Sequence, residues 1–162
     1  MKNILFLCTG NSARSILAEA IMAKHGAGRF NSFSAGSKPK GVPHPAALKL
    51  LQSKGYETAH FRSKSWDEFT GPEAAKMDFI FTVCGNAAKE TCPVWIGQPM
   101  QAHWGIDDPA DPTGSEAEVQ AEFEVAYQRM KKRIDAFLAL PVETMETAEL
   151  KKRMIVIGDM HD

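Results

Sequence analysis

The chain has 162 residues, enough for one domain with a real core and too few for two ordinary ones. It carries 19 Lys and Arg against 20 Asp and Glu, and this balance argues against broad nucleic-acid binding, which needs a strongly basic face. Hydrophobic residues make up 44% of it, the share of a folded protein rather than a disordered one, and no apolar run approaches the roughly 20 residues of a membrane span. The apolar start, Met1 to Cys8, turns polar at Thr9 without a small-residue cleavage site, so it reads as a strand and not as a signal peptide. Three cysteines, Cys8, Cys84 and Cys92, are too few and too odd for a disulfide scaffold. In a chain read as lacking a secretory signal they are expected to be reactive or buried, and the expected compartment is the cytoplasm.

In chain order, Lys2–Leu7 reads as a short apolar strand opening into a glycine-containing loop. Ser15–His25 reads as a helix ended by Gly26. Arg29–Ser34 alternates as a strand does, with Ala35-Gly36 expected as a turn after it. Gly41–Pro45 is a loop leading into a helix over Ala46–Gln52, and Asp67 starts a short helical stretch broken by Gly71-Pro72. Asp78–Val83 is the best candidate for a buried strand, Pro99–Trp104 is a weaker one, and Asp107–Gly114 is turn-rich. Ser115 and Glu118 have capping-box spacing, and Val119, Phe123, Ala126, Met130, Ile134 and Phe137 keep one apolar stripe along the helix that follows. Beyond Pro141, Leu150, Met154 and Ile157 fall on one helical face, which fits either a docked extra helix or a disordered tail. Alternating strands and helices predict an α/β fold with parallel strands, whose ligands sit outside the carboxyl ends of the strands. That rule puts the loop after Leu7, the segment after Val83 and the loop after Trp104 on one rim.

Residues 8–15 read Cys8-Thr9-Gly10-Asn11-Ser12-Ala13-Arg14-Ser15, a cysteine and, six positions on, an arginine between a strand and a helix. Such a loop makes a cradle for a tetrahedral oxyanion. Small residues let the backbone N–H groups from Thr9 to Ala13 turn inward, the helix starting near Ser12 adds its positive end, and Arg14 grips two oxygens in a fork. The same field is expected to lower the pKa of Cys8 and make it a nucleophilic thiolate, with Ser15 donating a hydrogen bond to the sulfur. The plain alternative is a buried, inert Cys8 beside a solvated Arg14. Attack on a tetrahedral centre expels an oxygen, which leaves more easily when a carboxylic acid protonates it, and Asp107 and Asp108 are the candidate acids. As residues alone they are equally well explained as turn formers.

Four segments carry a resemblance: the loop at 8–15, Ser34-Ala35-Gly36, Cys84 to Cys92-Pro93, and His103-Trp104-Gly105-Ile106-Asp107-Asp108-Pro109-Ala110. Over about residues 3–140 the chain resembles the low-molecular-weight protein tyrosine phosphatase superfamily, and within it the arsenate reductases that use a cysteine relay. The resemblance implies a three-layer fold, a four-stranded parallel sheet with helices on both faces, in a domain at 1–140 followed by an extension at 141–162. It favours Asp108 as the acid, since the family acid directly precedes a proline, here Pro109. It implies arsenate as substrate and a relay in which Cys84 resolves the Cys8 adduct and Cys92 then takes over the disulfide. An external thiol reductant, either thioredoxin or a glutathione–glutaredoxin system, would reset the enzyme, and no resident cofactor is implied. A straight helix over 84–92 would hold its end Cα atoms about 12 Å apart. A disulfide needs them within about 7 Å, so that segment is expected to be helical when reduced and irregular when oxidised.

Asn11, Glu19 and Ser34 match positions that hold the family's loop in shape, in some members around a monovalent cation. Here the position that completes that set falls on Lys64, which puts cation binding in doubt; an ammonium paired with Glu19 and a solvated lysine are equally good readings. His103-Trp104 is assigned to packing, no metal-ligand spacing exists, and a monomer is expected. Two competing functions stand beside the reductase: a phosphatase on phosphotyrosine or small phosphomonoesters, and an oxyanion-binding redox sensor. Ala110, where tyrosine phosphatases of this fold carry an aromatic residue, speaks against the first of these.

Overall fold

A computed structural model describes residues 1–85, 95, 97–110 and 113–160. Its sheet has four parallel strands, β1 (Lys2–Cys8), β2 (Phe30–Gly36), β3 (Phe79–Thr82) and β4 (Met100–His103), in the order β2-β1-β3-β4. Among the described residues the helices are α1 (Arg14–His25), α2 (Pro45–Ser53), α3 (Glu116–Leu138) and α4 (Thr147–Gly158), with a 3₁₀ turn at Trp66–Phe69. This is the expected α/β fold. The helix over Arg14–His25 starts later than Ser12, so Ser12 and Ala13 belong to the loop.

Strand periodicity divides the core. On one face Ile4, Phe6, Phe79 and Phe81 meet α1, α2, α3 and α4. On the other, Leu5, Leu7, Ala35 and Ile80 pack with Met77 and Trp95 beneath Phe33, Trp66 and Phe69. The long helix is capped as its sequence requires, Ser115 Oγ accepting from the Glu118 N–H at 3.1 Å. Its stripe of Phe123, Ala126, Met130, Ile134 and Phe137 is buried.

Ala35 and Gly36 are strand residues and not a turn. Leu7 pairs with Ala35 and Cys8 with Gly36, and the Gly36 N–H continues the ladder to Lys64 O at 2.9 Å. The glycine is required by close approach, since a Cβ there would sit 2.4 Å from Thr9 O. The turn propensity of glycine misleads at this position because its use is to admit a neighbouring backbone.

After Pro141 the chain forms α4, which lays Leu150, Met154 and Ile157 into the main core. Trp104, fully buried and stacked on Phe81 at 3.7 Å between ring centres, donates its indole N–H to Met154 O at 2.9 Å. A Cβ on Gly158 would lie 2.2 Å from His103 O, so α4 reaches the end of β4 at contact distance. His103–Trp104 therefore packs a strand end, as expected; the His103 ring nitrogen Nδ1 lies 2.7 Å from Thr82 Oγ1.

Candidate active site

The strand order reverses direction at β1, with β2 on one side and β3 on the other, and this is the crevice where open parallel sheets hold ligands. Three chain segments converge there. Val83 N–H donates to Leu7 O at 2.9 Å and Ile106 N–H to Val83 O at 3.3 Å, which binds the loop after β1, the segment after β3 and the acid-bearing loop into one rim.

The loop 9–13 is shaped from outside. Its carbonyl oxygens at Thr9, Gly10 and Ser12 accept from the N–H groups of Lys38, Lys40 and His44 at 3.0, 3.0 and 2.8 Å. A trans peptide puts its C=O and the next N–H on opposite sides, so the N–H groups of Gly10, Asn11 and Ala13 face the other way, into the cradle. Asn11 makes the turn at a positive φ of 44°, a conformation that asparagine tolerates better than most residues. It is fully buried, and all its side-chain hydrogen bonds hold the loop. Nδ2 donates to Ser15 Oγ at 2.8 Å and to Ser34 Oγ at 3.0 Å, while Oδ1 accepts from the Lys64 N–H at 2.9 Å. Ser15 is thus engaged with Asn11, and among the described contacts its hydroxyl does not meet the Cys8 sulfur.

Arg14 stands at the first turn of α1 and bridges cradle and acid. Nη1 donates to Ile106 O at 3.1 Å, Nη2 lies 3.7 Å from Asp108 Oδ2, and Nε is buried with no hydrogen-bond partner. A buried guanidinium N–H without an acceptor fits an oxyanion, which would take it in a forked grip. Asp108 is exposed at the mouth, with Oδ1 accepting from the Ala110 N–H at 2.9 Å. Asp107 is turned outward and pairs with Arg129 at 3.5 Å.

Cys8 and Cys84 are both buried and neither is in a disulfide. The Thr9 hydroxyl, on the residue next to Cys8, lies 3.8 Å from the Cys84 sulfur. The nearness of Cys84 reverses the expected titration of Cys8. The Cys8 thiol is pushed up, first by its hydrogen bond to Cys84, then by burial and the charge on Cys84; Arg14 and the Thr9 N–H pull it down without prevailing. The loop's field acts with the expected sign, but a neighbouring thiol from the segment after β3 outweighs it. Cys92 and most of the expected helix at 84–92 lie outside the described residues.

Lys64 is 8% exposed and its ammonium sits 3.7 Å from Glu19 Oε1, near Ser34 Oγ at 3.5 Å and Arg62 O at 3.1 Å. The Ser34 hydroxyl also donates to Glu19 Oε1. Burial raises the Glu19 carboxyl, with Lys64 and Ser34 opposing, and burial lowers the Lys64 ammonium against the pull of Glu19. Of the two readings of Lys64, the paired one describes the structure. Among the described residues no cluster of His, Cys, Asp or Glu suits a metal ion, and no helix is long and apolar enough to cross a membrane.

Sequence reasoning passed over His44. Its N–H tethers Ser12, its Nδ1 caps α2 by accepting from the Ala46 N–H at 3.0 Å, and its ring packs on Phe123. The signal available was its place directly before Pro45, where a helix begins.

The family model for low molecular weight phosphotyrosine protein phosphatase matches residues 3–154. Arsenate reductase from Bacillus licheniformis is 36% identical over 137 residues, which span 84% of this chain and 94% of that one. Arsenate reductase from Halalkalibacterium halodurans is 36% identical over 136 residues, with the same coverage. Among solved structures, an arsenate reductase in the phosphate binding state aligns with a TM-score of 0.64 at 26% identity, covering 86% of this chain and 98% of that one.

Proposed function

The chain belongs to the low molecular weight phosphotyrosine protein phosphatase family, and from that premise we propose that it is an arsenate reductase working through a Cys8, Cys84 and Cys92 relay. One observation carries the reading: beside the cradle stands a second buried thiol, Cys84, its sulfur 3.8 Å from the hydroxyl of Thr9, the residue that follows Cys8. A hydrolase of this kind needs only water to resolve its adduct.

The cradle N–H groups and Arg14 hold arsenate with arsenic facing Cys8. The Cys8 thiolate attacks arsenic, Asp108 protonates the departing oxygen, and water leaves as the S–As bond forms. The Cys84 thiolate then attacks the Cys8 sulfur. An S–S bond forms, the S–As electron pair passes to arsenic, and As(V) leaves as As(III) arsenite. Cys92 exchanges with Cys84, returning Cys8 as a thiol and leaving a Cys84–Cys92 disulfide. A dithiol reductant, thioredoxin or a glutaredoxin-type protein, reduces that pair. Arg14 and the Thr9 N–H favour the charged form of Cys8 against the burial and the Cys84 neighbour that raise its pKa. Lys64 supplies the buried positive charge opposite Glu19, so the loop keeps its shape without a bound cation.

The test is arsenite production from arsenate with a thioredoxin system. Wild type turns over many times, while Cys84→Ser and Cys92→Ser each stop within one cycle. Wild type that yields no arsenite, with phosphomonoester hydrolysis undiminished in both variants, would make it a phosphatase instead.

A further inference from the structure

Beside the cradle lies a cavity of about 560 Å³ between the first turns of α2 and α3, bordered by Lys40, His44, Ala110 and Val119. Ala110 is two residues beyond the acid Asp108. The backbone of Lys40 is fixed to the loop, its N–H donating to Gly10 O at 3.0 Å. Its side chain then lies along Gly10; a Cβ at that glycine would meet Lys40 Cε at 3.2 Å and Cγ at 3.3 Å. His44, which tethers Ser12, borders the same cavity as Lys40 and lies in the fields of both Lys40 and Asp108.

Four lysines carry an acid partner: Lys49 with Glu116, Lys54 with Glu124, Lys64 with Glu19, and Lys131 with Asp135. Among the described residues the Lys40 ammonium has neither an ion pair nor a hydrogen bond. The exposed Lys40 lays its stem over a glycine of the cradle loop, and among the described residues no acid neutralises its charge. This arrangement is well explained if an anion arrives beside it.

We propose that Lys40 is a further oxyanion-binding residue, whose ammonium meets the outward oxygen of the anion that Arg14 and the loop N–H groups hold from within. This rests on the reading of the loop as an oxyanion cradle. Arg14 grips the anion from the α1 side, and Lys40 adds a mobile point charge at the mouth. It stabilises the bound dianion and raises its rate of capture by long-range attraction.

Inorganic phosphate is the probe, its affinity measured by calorimetry at low and high salt. Lys40→Met keeps the apolar stem over Gly10 and removes the charge. It is expected to weaken phosphate binding about fivefold at low salt, with the difference shrinking as salt rises. Lys40→Arg restores affinity to within about twofold of wild type, and so does a control, Lys76→Met, at the opposite rim of the sheet. Phosphate affinity unchanged in Lys40→Met, or lowered equally in Lys76→Met, overturns the role of Lys40 and leaves the cradle standing. Failure of wild type to bind phosphate, with Arg14→Ala indistinguishable from it, overturns the cradle and Lys40 together.

Discussion

Replacing Asn11 tests how the cradle is held. Asn11→Ala removes the acceptor of the buried Lys64 N–H, which costs about 1–3 kcal/mol for an unsatisfied donor. It also removes two amide donations to Ser15 and Ser34, each about 0.5–1 kcal/mol because hydroxyls can find other partners. Alanine at a φ of 44° adds about 1 kcal/mol of backbone strain. The total is about 3–6 kcal/mol, and at about 2–4 °C per kcal/mol for a chain of this size it lowers Tm by roughly 6–24 °C. Asn11→Gly loses the same hydrogen bonds but accepts the left-handed backbone, so it should recover about 1 kcal/mol of the loss. Urea unfolding of the three proteins gives these differences, and calorimetry with phosphate reads the loop itself. If alanine and glycine are equally destabilising, backbone strain is not part of the cost. If Asn11→Ala unfolds within 1 kcal/mol of wild type, the three contacts do not hold the loop, and the account fails.

Other outcomes follow from the same contacts. Lys64→Met leaves Glu19 buried without its counter-charge and should cost about 3 kcal/mol at pH 8. The Glu19 pKa is already raised, so its stabilising contribution is greatest below the ordinary carboxylate range and is lost as pH rises through the folded value. Without Lys64 that folded value climbs further, so the variant should be closer to wild type at pH 5 than at pH 8; urea titrations showing the reverse order would refute it. In a Cys92→Ser background, Cys84→Ala removes the largest cause of the raised Cys8 pKa, so the pH midpoint of Cys8 alkylation should fall; an unmoved midpoint would refute the thiol coupling. Gly158→Val drives a side chain into His103 O and Trp104, undocking α4 and lowering Tm by several degrees with a changed near-ultraviolet tryptophan spectrum. Arg29→Ala frees Glu143, which Arg29 holds at about 2, and carboxyl NMR should find it back in the ordinary range.

Much of this was legible in the chain. Helical periodicity located α1 and α3, a continuous apolar run located β1 because that strand is buried on both faces, and the order of motifs placed Cys8, Cys84 and Asp108 on one rim because parallel strands all end there. What escaped was set by partners distant in sequence. The charge on Lys64 favours solvent, so in the sequence its pairing with Glu19 stands level with a solvated lysine, and only the fold that brings α1 against it decides between the two. Leu150, Met154 and Ile157 showed an apolar face without showing that Trp104 and Gly158 would receive it. The Cys8 titration was judged from residues within one loop, where Arg14 dominates, whereas its largest cause comes from the strand beside it.

The pairing of Leu7 with Thr82 has a consequence for how this chain can change. It is strand register, and not the length of chain between them, that brings Cys8 and Cys84 together, and it keeps their effective concentration high whatever the intervening loops do. Extra residues spliced into the exposed stretch around Gly71 should leave the two sulfurs able to form a disulfide at an unaltered rate. A single residue inserted within Phe79–Thr82 carries the second thiol to the opposite face and dissolves the pair, although the sequence spacing has changed by only one. Redox partnership here is inherited from hydrogen bonding between strands, so loop length is free to drift while the four residues of β3 are not.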